Sequence, residues 1–231
     1  MNAVTRIKLG NANAYLVRLA APGAAAEAPA FVLVDTGLSM SWSRLRAALA
    51  AEGCLPGTLR LIVLTHGDLD HTGNCVNLRR EYRAPLAMHR LDAPMAEKGL
   101  RRKRQARGAM GKTMNVLMRS LSKLNLLPQA EPFTPDLLLE DGQKLVEYGW
   151  DAAVIHVPGH TEGSLAVLAG DGSLFSGDTL FGTKHPSLFI EDAEAFRTSL
   201  GKLRALKPAT KMVYPGHGDP FPAERMDLMR F

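Results

Sequence analysis

Residues 65–74 read Thr65-His66-Gly67-Asp68-Leu69-Asp70-His71-Thr72-Gly73-Asn74, directly after the apolar run Leu61 to Leu64. A short, nearly all-apolar run closed by polar residues predicts a strand covered on both faces. Four metal-capable side chains therefore stand at a strand exit. A packed sheet fixes its loop starts closely enough to hold donors about 2.0 to 2.2 Å from a metal. His66, Asp68 and Asp70, at i, i+2 and i+4, can project together from an extended or irregular loop, and His71 can reach a second metal beside the first. Helical spacing would separate His66 from Asp68.

Working outward, three further metal-capable residues follow strand-like segments: His160 in Pro158-Gly159-His160-Thr161, Asp178 in Ser176-Gly177-Asp178-Thr179, and His217 in Pro215-Gly216-His217-Gly218. Each alone has a plain structural explanation. His160 could bond to loop backbone, Asp178 could serve a turn or a helix cap, and Asp70 could cap a helix starting near Asn74. Four histidines and three carboxylates at separate strand exits do not share such an explanation, so they are read together as one metal site. His89 and His156 are read as packing or surface histidines, and His185 is left unassigned. Thr65, Thr161 and Thr179 neighbour the ligands and are candidates to hydrogen-bond them.

The rest of the pattern alternates strand and helix. Thr5–Leu9, Tyr15–Leu19, Phe31–Val34, Pro85–Met88, Leu137–Leu139, Lys144–Val146, Ala152–Val157, Leu165–Ala169, Leu174–Ser176 and Met212–Tyr214 read as strands, with a hairpin turn at Gly170-Asp171-Gly172. Helical period appears from Ser39 to Gly53 through Trp42, Leu45, Ala48 and Leu49, around Asn74–Tyr82, and over 191–206.

The chain has 231 residues, is 46% hydrophobic and carries only 6% aromatics, so its core must rest on Leu, Val, Ile and Ala. Cys54 and Cys75 are too few for a disulfide framework, which predicts a cytoplasmic setting. The longest apolar runs fall far short of the roughly 20 residues of a membrane helix, so no span is expected. Asn11, Asn13 and Arg18 interrupt any signal core, and the N-terminus is read as the first strand. Net charge is +5, yet Lys98 to Ala130 holds nine basic residues and no acidic one, leaving −4 for the remainder. Met110, Met114, Leu117, Leu121 and Leu124 predict a helix over about 109–127 within this segment. It reads as a solvated basic face, or as an insertion or lid at about 92–130 that attracts an anionic substrate. The absence of aromatics there disfavours nucleic acid as a partner. The methionines could line a substrate tunnel or a homodimer contact.

The order and spacing of Asp35-Thr36-Gly37, residues 65–74, 158–164, 174–181 and 214–219 resemble the metallo-beta-lactamase fold superfamily over nearly the whole chain. The resemblance implies an α+β fold, a four-layer αββα sandwich with two central mixed β-sheets, in one metallo-hydrolase domain over 1–231. It implies that His66, Asp68 and His160 hold one metal, that Asp70, His71 and His217 hold a second, and that Asp178 bridges them. Asp35 lies near the site in the family pattern and is expected to support it without being a ligand. Where the family expects histidine this chain has Asp68. Three carboxylates against two divalent ions leave +1, so bound water should be less acidic than at a histidine-richer site. Zinc is the first choice of cofactor, and the oxygen enrichment admits Mn or Fe(II).

The resemblance thus implies a dinuclear metal-dependent hydrolase of a small, anionic ester, thioester or lactone, with Asp70 as the catalytic group that orients the attacking hydroxide. Lys184, His185 or an arginine within 101–107 would meet the substrate's carboxylate or phosphate. With fourteen residues after His217, neither the helical C-terminal domain of glyoxalase II proteins nor the export segment of the secreted lactam hydrolases is expected. The alternatives are a metal-dependent phosphodiesterase acting on a nucleotide or small phosphodiester, and a metal-stabilised binding protein.

Overall fold

In the computed structural model, residues 3–20, 29–99, 105–106, 113, 116, 120, 131–182 and 189–228 are described. The strand β3 (Phe31–Val34) shows how its layers arise. Successive side chains of a strand face opposite ways. Phe31 and Leu33 accordingly enter one buried cluster, while Val32 and Val34 enter another. A strand buried on both faces requires a layer on each side, and both layers are present.

The first sheet runs β1 (Ala3–Leu9), β2 (Ala12–Arg18), β3, β4 (Leu59–Val63), β5 (Leu86–His89) and, at its edge, β7 (Leu137–Leu139). β1, β2 and β3 pair antiparallel; β3, β4, β5 and β7 pair parallel. The second sheet is ordered β13 (Phe221–Pro222), β12 (Met212–Pro215), β10 (Ser173–Gly177), β9 (Leu165–Ala169), β8 (Ala152–His156), and only β10 and β12 pair parallel. A short ribbon joins β6 (Gln105–Ala106) to β11 (Phe189–Ile190). Both main sheets are therefore mixed.

Three buried clusters fill the spaces between four layers. One lies between the first sheet and the helices α1 (Trp42–Ala51) and α3 (Cys75–Tyr82), through Leu33, Ile62, Leu45, Leu49 and Leu78. The second, with Val32, Val63, Trp150, Val167 and Phe175, lies between the sheets. The third packs the second sheet on α5 (Ala193–Ala205), which buries Phe196, Ser199, Leu200 and Leu203, positions at i, i+3, i+4 and i+7. Asp192 caps α5 by accepting from the Glu194 and Ala195 amides, and Lys202 and Arg204 stand in its last turn, where the helix dipole favours cations. Replacing Asp192 with alanine would cost about 1 kcal/mol. This is the αββα sandwich that the resemblance implied.

Most expected strands lie within a few residues of the observed ones, and Phe31–Val34, Leu137–Leu139 and Leu165–Ala169 coincide with them. Lys144–Val146 differs: Lys144 forms an isolated bridge to Ala153, and Val146–Tyr148 is a turn of 3-10 helix. Leu145 alone is anchored in the inter-sheet core, while Val146 is exposed. One buried leucine had the look of a strand. Of the basic segment, α4 (Ala93–Lys98), β6 and three single positions are described, and the helix expected over 109–127 lies otherwise outside the described residues, as do Lys184 and His185. Among the described residues no helix is long and apolar enough to cross a membrane.

Candidate metal centre

Four strand exits, one from the first sheet and three from the second, converge at one edge of the sandwich. β4 leads into His66 and Asp68; Asp68 keeps an extended backbone, and the single helical turn α2 (Leu69–Thr72) then carries Asp70 and His71. The segment is thus extended at its start and helical at its end, which sends its four donors to two places. From the second sheet come His160 after β8, Asp178 after β10 and His217 after β12.

The seven candidate ligands fall into two overlapping groups. In the first, Asp68 Oδ2 lies 3.3 Å from His66 Nε2 and 3.2 Å from His160 Nε2. In the second, His217 Nε2 lies 3.4 Å from Asp70 Oδ2 and 3.4 Å from His71 Nε2. Asp178 sits between them, with Oδ1 3.5 Å from His71 Nε2, and Oδ2 3.5 Å from His160 Nε2 and 3.2 Å from His217 Nε2. His66–Asp68–His160 and Asp70–His71–His217 each bring three donors within 4.8 Å of one another, and His66–His71–Asp178 links them.

Every imidazole is oriented from behind. His71 Nδ1 faces Asp35 Oδ2 at 2.8 Å, His160 Nδ1 faces the Phe189 carbonyl at 2.9 Å, and His217 Nδ1 faces the Asn11 carbonyl at 2.8 Å. Thr65 Oγ1 donates to Asp35 Oδ2 and so accepts from His66 Nδ1, 3.0 Å away. Each acceptor demands a proton on Nδ1, which leaves the Nε2 lone pair of the neutral ring aimed at the centre. His66 Nε2 and Asp178 Oδ1 are buried with no hydrogen-bond partner among the described residues. Buried polar atoms without partners are costly, and a cation between them would satisfy both. The donor set fits a divalent pair.

Electrostatics point the same way. Burial would push His71 down, but Asp35, Asp178 and Asp70 lift it to about 10. Burial likewise opposes protonation of His217, which Asp178 and Asp70 raise to about 9. Burial works to raise Asp178, yet His217, His71 and His160 hold it well below the usual carboxylate range. The cluster of carboxylates attracts positive charge, as protons or as cations.

All seven residues read from the sequence as candidate ligands come together here, and Asp35 stands behind the ligands, as expected. Thr65 bonds Asp35 and His66, whereas Thr161 bonds Asp92 and Ser164 and touches no candidate ligand through its hydroxyl. Thr179 Oγ1 is buried with no partner among the described residues, so it does not support a ligand. His89 and His156 stack on each other, ring centroids 4.1 Å apart, apart from the centre. Sequence reasoning passed over Asp92 and Asn13. Asp92 accepts from loop amides beside His66 and His160, and Asn13 donates to the carbonyls of Pro215 and Gly218 around His217.

Comparison with known proteins agrees with this geometry. A family model described as the metallo-beta-lactamase superfamily matches residues 7–217. An atrochrysone carboxyl ACP thioesterase of Aspergillus fumigatus is 28% identical over 189 residues, 81% of this chain and 47% of that protein. A hydroxyacylglutathione hydrolase of Alkalilimnicola ehrlichii is 53% identical over 64 residues, 28% of this chain and 24% of its own. The chain thus spans about half the length of one relative and a quarter of the other. The probable metallo-hydrolase YflN of Bacillus subtilis is 26% identical and covers 94% of this chain and 85% of its own. Among solved structures, a di-iron-bound form of TTHA1623 is 30% identical with a TM-score of 0.67, covering 96% of both chains. With the family match spanning both sheets and all seven converging residues, the chain belongs to the metallo-beta-lactamase superfamily.

Proposed function

We propose that this protein is a dinuclear metal-dependent hydrolase of a small, anionic ester, thioester or lactone. The observation that carries the reading is the pair of three-donor groups linked by His66–His71–Asp178, with every imidazole turned by its Nδ1 contact to present Nε2. His66, Asp68 and His160 would hold one ion, Asp70, His71 and His217 the other, and Asp178 both. Bound there, two divalent cations supply Lewis acidity and make water nucleophilic at neutral pH. Zinc is the first candidate; the oxygen donor Asp68 also suits Mn or Fe(II), and the di-iron form of TTHA1623 is a relevant precedent.

Asp70 is the most exposed of the three carboxylates that face the centre, at 35% of its side chain, against 25% for Asp68 and 6% for Asp178. It therefore meets both the interior and incoming substrate, and serves to orient the attacking water and pass its proton to the leaving group. Phe181 stacks on His217 with ring centroids 5.7 Å apart and offers an apolar wall beside it. The names of the Aspergillus thioesterase and the hydroxyacylglutathione hydrolase favour thioesters among the three substrate classes. The basic segment at 92–130 would supply the attraction for an anionic group.

Side-by-side assays of the zinc-loaded protein on a simple thioester, a lactone, an aryl ester and an aryl phosphodiester test this reading. Turnover of one of the three acyl substrates is expected. Activity on the phosphodiester alone would replace the reading with a phosphodiesterase, and inactivity on all four with metal bound would replace it with a binding protein. Asp178→Ala should lower metal content and reduce kcat by on the order of 100-fold or more; unchanged kinetics would refute a role for Asp178 between the ions.

A further inference from the structure

Asp92 is the residue at which α4 begins, where an aspartate ordinarily turns back to accept from the first amides of its own helix. Here it makes no such bond. Its side chain instead leaves the helix and is almost wholly buried, at 1% exposure. Oδ2 accepts from the Gly67 amide at 2.8 Å and from Thr161 Oγ1 at 2.8 Å, and Oδ1 accepts from the Gly163 amide at 2.9 Å. Gly67 lies between His66 and Asp68; Thr161 follows His160. One carboxylate therefore holds the two loops that carry the first group of candidate ligands, from different sheets, and all three of these bonds go to those loops.

The approach is close on both sides. A Cβ at Gly163 would stand 2.6 Å from Asp92 Cγ and Oδ1, and one at Gly67 would stand 3.4 Å from Oδ2. No side chain fits between Asp92 and the backbone at 163, so the carboxylate sets the loop spacing by direct contact. Amide donors to a carboxylate are among the stronger hydrogen bonds, and three donors among the described residues reach this carboxylate at or below 2.9 Å. A carboxylate rather than an amide is demanded because all three partners donate: an asparagine at 92 would turn one N–H toward another N–H or a hydroxyl hydrogen.

We infer that Asp92 is a positioning residue that sets the spacing of His66, Asp68 and His160, and so fixes cation affinity at that group selectively, leaving Asp70–His71–His217 largely untouched. The inference rests on the metal reading above but concerns a residue outside the ligand set. Loss of a group that orients metal ligands typically lowers affinity about 10- to 100-fold, and here that loss should fall on one ion of the two.

The test is a zinc titration of the full chain against a competing chelator, with zinc per chain read by mass spectrometry of the metal. Wild type should hold two ions; Asp92→Asn should keep one at wild-type affinity and bind the other about 10- to 100-fold more weakly. Two reporter backgrounds identify which ion is lost. In His217→Ala, which leaves only the first group intact, adding Asp92→Asn should weaken the remaining ion; in His160→Ala it should not. Thr161→Val removes one of the three bonds and should weaken the same ion to a lesser degree, and it decides the matter should Asp92→Asn fail to fold. Two ions held at wild-type affinity in both variants, or equal weakening in the two backgrounds, would overturn the inference. A wild type that binds no zinc would instead sink the metal reading itself.

Discussion

Asp35 has a backbone φ of 59°, a left-handed conformation that costs a non-glycine residue about 1–3 kcal/mol. The strain is held in place by what its carboxylate does: it accepts from the Thr65 amide and hydroxyl at 2.8 Å each and faces His71 Nδ1 at 2.8 Å. One residue thereby orients His71 directly and His66 through Thr65. A second residue-scale consequence comes from the histidine stack. Burial, then the facing His156 ring, push His89 down to about 4, against an upward pull from Asp92, with lesser contributions from Arg90 downward and Glu140 upward. A histidine whose folded pKa lies below its unfolded value near 6.5 contributes stability above that value, and loses it progressively as pH falls toward about 4. Thermal melts at pH 7.5 and pH 5 should show wild type losing more Tm on acidification than His89→Gln, since the metal-site histidines titrate in both and cancel in the difference. Equal losses would show that His89 is protonated freely in the folded protein.

At the scale of elements, the hairpin of β1 and β2 acts as a bracket for the loop after β12. Asn13 Nδ2 reaches Tyr15 Oη at 3.1 Å, the Pro215 carbonyl at 2.9 Å and the Gly218 carbonyl at 2.8 Å, while the Asn11 carbonyl faces His217. Arg6 closes the bracket by donating to Asn13 Oδ1 and pairing with Asp219. Asn13→Ala should cost about 1–3 kcal/mol in chemical denaturation, because buried carbonyls lose their donors, and should weaken zinc at the His217 group more than at the His160 group. A change below 0.5 kcal/mol would mean that Tyr15, which also donates to the Pro215 carbonyl, suffices alone. This bracket also marks where reading the sequence stops. The candidate ligands were legible because each follows an apolar run, a local signal; the division of residues 66–71 between two groups could be drawn only from family resemblance. Asn13 binds partners 202 and 205 positions away, and Asp92 binds partners 25, 69 and 71 away. No local spacing encodes such contacts, so in the sequence Asn13 is only one of three breaks in a possible signal core, and Asp92 draws no reading of its own. Lys144–Val146 failed for the converse reason: a local apolar signal was present without an alternating run behind it.

Across the whole molecule, each three-donor group draws two candidate ligands from the first sheet and one from the second: His66 and Asp68 with His160, and Asp70 and His71 with His217. The sandwich core between the sheets holds them together through Trp150, Phe175 and their neighbours, and at the site edge the carboxylates Asp68, Asp70 and Asp178 gather where bound cations would offset their charge. Cations that bind the folded state alone stabilise it by mass action, by about 1.4 kcal/mol for each tenfold rise in free ion at each saturating site. Tm should therefore climb with the logarithm of free zinc and fall on chelation. Hydrogen exchange after chelation should quicken in 66–72, 158–164 and 215–219 while α1 and α3 stay protected; uniform quickening would show that the edge has no independence. On the proposed function, the lasting consequence of candidate ligands drawn from both sheets is that endurance and competence rise and fall together. A cell short of trace metal would be left with a chain that is both idle and easier to unravel from one end, and so easier for proteases to clear.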